Sequence, residues 1–291
     1  MNDIRPRRSV LYMPGSNARA LEKARSLPAD ALILDLEDAV APGAKDAARA
    51  QVCAAVAARS FGRREVVIRI NALSSSWGMD DLAAAAAARP DAVLIPKVSA
   101  ELDLEMAEAR LRLAGADPQI ALWAMIETPR AILNVDAIAG HGGRLACLVM
   151  GTNDLIKELH GVHMPGRQNL STALGLSVAA ARAFGLGAID GVHNDIQDAE
   201  GFAESCRQAR AFGFDGKTLI HPAQIDACNR IFAPSAEEVE AARKIIAAFE
   251  LPENRDKGAI ALDGRMVERL HADIARRTVA LADAISERER A

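Results

Sequence analysis

The stretch Ala124-Met-Ile-Glu-Thr-Pro129, answered further along by Val149-Met-Gly-Thr-Asn-Asp154, decides how this chain is read. Each begins as an apolar run suited to a buried strand, reaches a single carboxylate (Glu127, Asp154), and carries helix-starting residues beside it: Thr128-Pro129 in one, Thr152 and Asn153 in the other. Roughly 27 residues separate the two acids, the length of one strand–helix–strand repeat. Neighbouring parallel strands would therefore deliver both acids to the same end of a sheet.

Working outward, the same alternation of short apolar run and helical segment continues in both directions. The runs are Ser9–Met13, Ala31–Leu36, Val66–Ile70, Ala92–Ile95, Leu122–Ile126, Leu145–Met150, Gly187–Val192 and Lys217–Ile220. Near-continuous apolar runs suit parallel strands buried on both faces, and strands alternating with helices imply right-handed crossovers. Eight such units predict an α/β chain folded as a (β/α)8 TIM barrel. An open doubly wound sheet is the alternative, although no GxGxxG stretch follows the first strand. Beyond the eighth run the chain has more than a barrel needs. Ala236–Glu250 reads as a helix, Ala259–Val267 as a hairpin turning at Asp263-Gly264, and Glu268–Ser286 as a second helix. The expected division is a barrel over 1–232 and a C-terminal hairpin-and-helix arm over 233–291, packed on a neighbouring subunit.

Composition narrows the function classes. The 291 residues are 50% hydrophobic, enough to bury a barrel-sized core. A formal net charge of −4 and an aromatic content of 3% argue against nucleic acid as a partner. The four cysteines show no CxxC or His/Cys spacing, so neither a zinc site nor a disulfide framework is expected. The basic start, Arg5-Pro-Arg-Arg8, runs directly into a strand rather than into a signal-type apolar region, and no run approaches the ~20 apolar residues of a membrane span. The expectation is a cytoplasmic protein with no membrane partner.

In a barrel, catalytic groups gather where the strands end. Those positions here hold Pro14-Gly15, Asp35, Glu37, Asp38, Arg69, Asn71, Lys97, Glu127, Gly151 to Asp154, Asp190 to Asn194 and His221. Glu127 and Asp154, hard oxygen donors without a Cys or His beside them, suit a magnesium-like ion that keeps positions open for substrate. Their bland alternative is helix capping. Arg69, flanked by apolar residues on its strand, needs a carboxylate partner, either a substrate or Glu37 and Asp38. Lys97 reads as an ion-pair partner for the rim acids or, alternatively, as a Schiff-base nucleophile. Arg19 and Lys23, spaced i, i+4 behind Gly15, suit phosphate binding or an ordinary solvated helix.

Six segments together, Arg8-Ser-Val-Leu-Tyr-Met-Pro-Gly-Ser-Asn17, Leu34-Asp-Leu-Glu-Asp-Ala39, Ile95-Pro-Lys97, Ile126-Glu-Thr-Pro129, Gly151-Thr-Asn-Asp154 and Lys217-Thr-Leu-Ile-His-Pro222, resemble the HpcH/HpaI aldolase and citrate lyase beta-subunit family, near its CitE-like and malyl-CoA lyase branches. The resemblance implies a barrel of the phosphoenolpyruvate/pyruvate type, a homo-oligomer (trimer or hexamer), and a Mg2+- or Mn2+-dependent lyase. Such an enzyme cleaves or forms a short 3-hydroxyacyl-CoA thioester, such as malyl-CoA or citramalyl-CoA, yielding an acyl-CoA and a 2-oxo acid. It implies Glu127 and Asp154 as metal ligands and Arg69 as oxo-acid binder and enolate stabiliser. Glu37 and Asp38 become supports for Arg69 or for metal-bound water, and Gly151, Thr152, Asn153 and Asp154 contacts for the substrate carboxylate. With a CoA thioester as substrate, Arg19 and Lys23, read from their spacing, become the candidates for its phosphate, and Asp263 matches a proton-transfer acid lent to a neighbouring subunit. The alternatives are a malyl-CoA thioesterase, a citrate lyase beta subunit acting on an acyl-carrier-protein thioester, and a non-catalytic binding subunit.

Overall fold

Aliphatic side chains on both faces of a strand can be satisfied only if both faces are covered, and the fold does this by closing the sheet. The computed structural model describes residues 4–290, which form two compact units, one over Arg7–Arg230 and one containing everything from Ile231 onward together with the N-terminal residues before Arg7.

The first unit is a closed barrel of eight parallel strands in sequential order: β1 (Ser9–Pro14), β2 (Ala31–Asp35), β3 (Glu65–Arg69), β4 (Ala92–Ile95), β5 (Ala121–Ile126), β6 (Leu145–Met150), β7 (Gly187–Asp190) and β8 (Gly216–Leu219). Closure is made by β1 against β8, with Ser9 opposite Lys217. Every boundary lies within about two residues of its sequence expectation. The widest difference is at β7, expected to run to Val192 but ending at Asp190, whose carbonyl accepts a bond from the Thr218 hydroxyl at 3.0 Å.

Successive strand residues face opposite sides, so the interior layer fixes what reaches the mouth. Val10, Ile33, Val67, Trp123, Met125, Cys147, Val149 and Ile189 pack together as the interior cluster. Two residues beyond Ile33, Val67 and Met125 on the same faces come Asp35, Arg69 and Glu127. At the other end Arg7 lies over the Trp123 ring, 5.1 Å from its centroid, and pairs with Glu65 at 2.6 Å, while Arg8 is bonded to Asp30 at 2.9 Å. The basic residues ahead of the first strand thus seal the barrel floor.

Asp190 and Lys217 behave differently from the rim position that sequence suggests for Asp190. Ile189 faces the interior, so Asp190 faces outward, where it meets Lys217 Nζ at 2.6 Å with both side chains fully buried. Arg167, in the segment Pro165–Leu170, adds two contacts of 2.8 Å to the same carboxylate. Burial favours neutralising both members, but the neighbouring Lys217 and Arg167 charges hold the Asp190 carboxyl below the usual range.

The second unit contains the helix Ala236–Glu250, an antiparallel hairpin of β9 (Ala259–Leu262) and β10 (Arg265–Glu268), and the helix Arg269–Glu289. Phe249, Ile260, Val267 and Ala272 form its core. Asp263 and Gly264 take φ of 50° and 75°, the pair of positive values that a tight two-residue hairpin turn requires. Among the described residues no helix is long and apolar enough to cross a membrane.

Removing one partner of a buried ion pair leaves the other uncompensated, at roughly 3–5 kcal/mol. Because Arg167 still answers Asp190, Lys217→Met is expected at the lower end, about 3 kcal/mol less stable. A shift in the urea unfolding midpoint at constant slope checks it.

Candidate active site

The mouth of the barrel collects two charge clusters. The first is built on Arg69, the last residue of β3, which stands opposite Asp35, the last of β2, in the strand register. Arg69 Nε and Nη2 donate to the two Asp35 oxygens at 2.6 and 2.7 Å, a bidentate fork. Backbone N–H groups of Glu37 and Ala39 bond to the same carboxylate at 2.9 and 3.0 Å. Arg69 Nη1 faces Glu37 Oε2 at 2.9 Å and Asp38 Oδ2 at 3.2 Å, and the guanidinium carbon lies 4.8 Å from the centroid of the Tyr12 ring. Lys45 clamps the loop after β2 from behind, donating to the carbonyls of Leu36 and Glu37 at 2.8 and 2.6 Å.

These contacts set the protonation states. Burial works against the Asp35 carboxylate, yet the Arg69 charge and hydrogen bonds outweigh it and hold its pKa below the ordinary value. Glu37 goes the other way. Burial, aided by Asp38 and Glu127, exceeds the pull of Arg69 and pushes the carboxyl up to about 8. Its Oε2 is near Arg69 but not aligned with an N–H, and has no hydrogen-bond partner.

The second cluster comes from the ends of β4, β5 and β6. Glu127 follows β5, only 1% exposed, and Oε1 accepts the backbone N–H of Lys97 at 2.7 Å. Thr128 behind it caps the helix Pro129–Leu133, accepting from the Ala131 N–H at 3.0 Å, so capping is the work of Thr128 and not of Glu127. Asp154 lies in the first turn of the helix Thr152–Glu158, and no side chain caps that helix. The Lys97 ammonium joins the acids, 2.7 Å from Asp154 Oδ2 and 3.5 Å from Glu127 Oε1. Burial draws the Lys97 pKa down, but the hydrogen bond to Asp154 and the charge of Glu127 raise it above the usual lysine value. For Glu127 burial dominates, opposed by Lys97, and the carboxyl is raised.

The donor set fits a small divalent cation. Glu127 Oε2 is buried without a hydrogen-bond partner, and the Lys97 ammonium, itself a cation, stands 3.5 Å from Oε1 of the same carboxylate. A Cβ at Gly151 would collide with the Glu127 side chain, so glycine leaves that carboxylate its room. Among the described residues no group of three or more His, Cys, Asp or Glu could hold a metal. Two carboxylates with the remaining positions left to water and substrate oxygens is the way magnesium is commonly held.

The other site expectations fall as follows. Thr152 is buried, and Asn153 exchanges a reciprocal pair of amide bonds with Asn194 at 3.0 and 2.9 Å. The N–H groups of Thr152, Asn153 and Asp154 precede the first intrahelical bond, Leu155 to the Gly151 carbonyl, and so remain available. Arg19 and Lys23 are solvent-exposed on the seven-residue helix Ala18–Ala24. Asp263 is exposed on the hairpin turn of the second unit. Sequence reading left out Asp35 as the principal partner of Arg69, Tyr12 beneath it, Lys45 behind it and the N–H of Lys97. Asp35 was within reach, since it sits two residues past the inward-facing Ile33 at the same strand end as Arg69.

Comparison with known proteins places this geometry in context. The family model described as HpcH/HpaI aldolase/citrate lyase matches residues 8–222. A (3S)-malyl-CoA thioesterase of Cereibacter sphaeroides is 49% identical over 97% of this chain and 96% of its own length. The citrate lyase subunit beta of Escherichia coli is 36% identical over 98% and 96%. The crystal structure of CitE from Mycobacterium tuberculosis in complex with magnesium, acetoacetate and coenzyme A is 30% identical, covers 96% of this chain and 98% of its own, and superposes with a TM-score of 0.78.

The raised Glu37 carboxyl has a consequence for stability. The folded protein keeps a proton at Glu37 that the unfolded chain releases near 4.5, so stability falls as pH rises from about 4.5 to about 8 and is then level. Glu37→Gln should flatten that slope. Urea midpoints for both proteins at intervals between pH 5 and 8 test it, and parallel curves would refute it.

Proposed function

Because the chain belongs to the HpcH/HpaI aldolase/citrate lyase family, we propose that it is a divalent-metal-dependent enzyme acting on a short 3-hydroxyacyl-CoA of the malyl type. The observation that carries this reading is the pair Glu127 and Asp154 at one mouth, with Glu127 Oε2 buried and unpartnered, beside an Arg69 held rigidly by Asp35. Glu127 and Asp154 hold Mg2+ or Mn2+, which when bound acts as a Lewis acid toward the oxygens of the hydroxy acid or 2-oxo acid. The 49% identity to a malyl-CoA thioesterase favours hydrolysis, malyl-CoA and water giving malate and free CoA. The second reading is carbon–carbon cleavage, malyl-CoA giving acetyl-CoA and the 2-oxo acid glyoxylate. It is favoured by the relation to citrate lyase beta subunits and by the placement of Arg69.

In either reaction the chain's own groups have defined work. Asp35 and the Tyr12 ring fix the guanidinium, so Arg69 meets developing negative charge on a substrate oxygen without reorganising. The free N–H groups at Thr152 to Asp154 orient the acid's carboxylate. Glu37, whose pKa of about 8 lies near neutrality, is suited to hold or pass a proton at the Arg69 end of the site. Asp38 tunes Arg69 from the solvent side. Asp263, exposed on its hairpin, is assigned as a proton-transfer group supplied by the arm of a neighbouring copy in a trimer or hexamer, and Arg19 and Lys23 as contacts for CoA phosphate.

Incubating the pure chain and Mg2+ with malyl-CoA, citramalyl-CoA and an acyl-carrier-protein thioester separates the readings by product. Free CoA marks hydrolysis, an acyl-CoA with a 2-oxo acid marks cleavage, and no product from any of them would sink the enzyme reading. Glu127→Gln and Asp154→Asn should each lower turnover by roughly a thousandfold with circular dichroism unchanged, about three factors of 1.36 kcal/mol. EDTA should abolish activity and Mg2+ restore it. Gly151→Ala, by displacing the Glu127 side chain, should weaken Mg2+ binding in calorimetry while the fold persists.

A further inference from the structure

Lys97 answers both acids of the second cluster in two ways at once. It takes a left-handed φ of 56°, an uncommon conformation for a side chain of its size. From that backbone its N–H donates to Glu127 Oε1 at 2.7 Å, while its ammonium reaches Asp154 Oδ2 at 2.7 Å and stands 3.5 Å from Glu127 Oε1. Without a cation between them, Glu127 and Asp154 would repel each other in a site where Glu127 is almost wholly buried. The ammonium offsets that repulsion, while Glu127 Oε2 stays buried without a hydrogen-bond partner.

Resting on the reading of Glu127 and Asp154 as metal ligands, we propose that the Lys97 ammonium is a built-in counter-ion that keeps the acid pair assembled in the metal-free protein and must be displaced for the divalent ion to bind. A divalent ion bound between the two carboxylates would repel an ammonium 2.7 Å from Asp154 Oδ2 and 3.5 Å from Glu127 Oε1, so metal binding drives the lysine out. The lysine can make that move, because its side chain is one-third exposed (33%) and its stem is flexible. The backbone N–H bond to Glu127 does not depend on the side chain, so Glu127 Oε1 keeps one fixed partner when the ammonium leaves. The apparent metal affinity is then lowered by the share of molecules in which the lysine is seated. Lys97 is accordingly a positioning residue, and its release delivers a mobile positive charge to the rim at the moment the metal arrives.

The test uses the full chain, MgCl2 and three readouts other than turnover. In calorimetry Lys97→Met should bind Mg2+ on the order of tenfold more tightly than the parent. Its metal-free form should melt at a lower temperature, and Mg2+ should raise its melting temperature by more than it raises the parent's. Loss of a nearby positive charge would tighten Mg2+ binding even without direct competition, so a third readout uses the unaltered protein. Acetylation of Lys97 by acetic anhydride, followed by mass spectrometry, should be several-fold faster with saturating Mg2+ than without it. Equal or weaker Mg2+ binding by Lys97→Met, or labelling that Mg2+ leaves unchanged, overturns the counter-ion role while the metal reading stands. Absence of Mg2+ binding in both proteins overturns the two together.

Discussion

A charge carried into a water-poor barrel must be met by an opposite charge or by hydrogen bonds, and this constraint governs the structure from floor to mouth. Arg7 meets Glu65 and Arg8 meets Asp30 at the floor, Lys217 and Arg167 meet Asp190 in the wall, and Arg69 meets Asp35 at the rim. Each of these pairs is complete within the chain. The acids at the ends of β5 and β6 are less completely met, since a single lysine serves both and one carboxylate oxygen of Glu127 is left over, as is Glu37 Oε2 beside Arg69. Both of these leftover carboxylate oxygens lie just past strand ends, where a ligand's charge has something to offer.

The two rim clusters divide the labour by rigidity. Asp35 holds Arg69 by both oxygens and is itself held by two backbone N–H groups, so the guanidinium is fixed before any substrate arrives. Lys97 is held at its backbone but free along its side chain. A fixed cation suits the stabilisation of charge that develops during a reaction, and a movable one suits an exchange of partners. Gly151 belongs to the same division: its missing side chain is the space in which the Glu127 carboxylate sits.

Much of this was legible from the residues because two periodicities carried it. Apolar runs spaced by helical segments gave the barrel, and the position of each polar residue after its run gave the rim: Arg69, Glu127, Lys97 and Asp154 all lie there. The turn at Asp263-Gly264 was equally plain, since two positive φ values call for those residue types. What stayed hidden depended on which face a residue takes at a strand's last position. Asp190 reads as a rim acid but faces outward, one residue past the inward-facing Ile189. Asp35 reads as one acid among three, and only its register opposite Arg69 makes it the anchor. Lys45 and Tyr12 could not be found by spacing at all, because they reach the site from a helix start and from an inner strand layer.

The packed floor has a bearing on how the mouth is approached. Trp123 lies in the barrel interior, fully buried, with Arg7 stacked against it at the end opposite Arg69 and Glu127. A group that meets Arg69 and Glu127 does so at the strand ends, away from the Arg7–Trp123 stack. The packing of a tryptophan at the opposite end thus leaves the strand ends as the side on which these two side chains can be met.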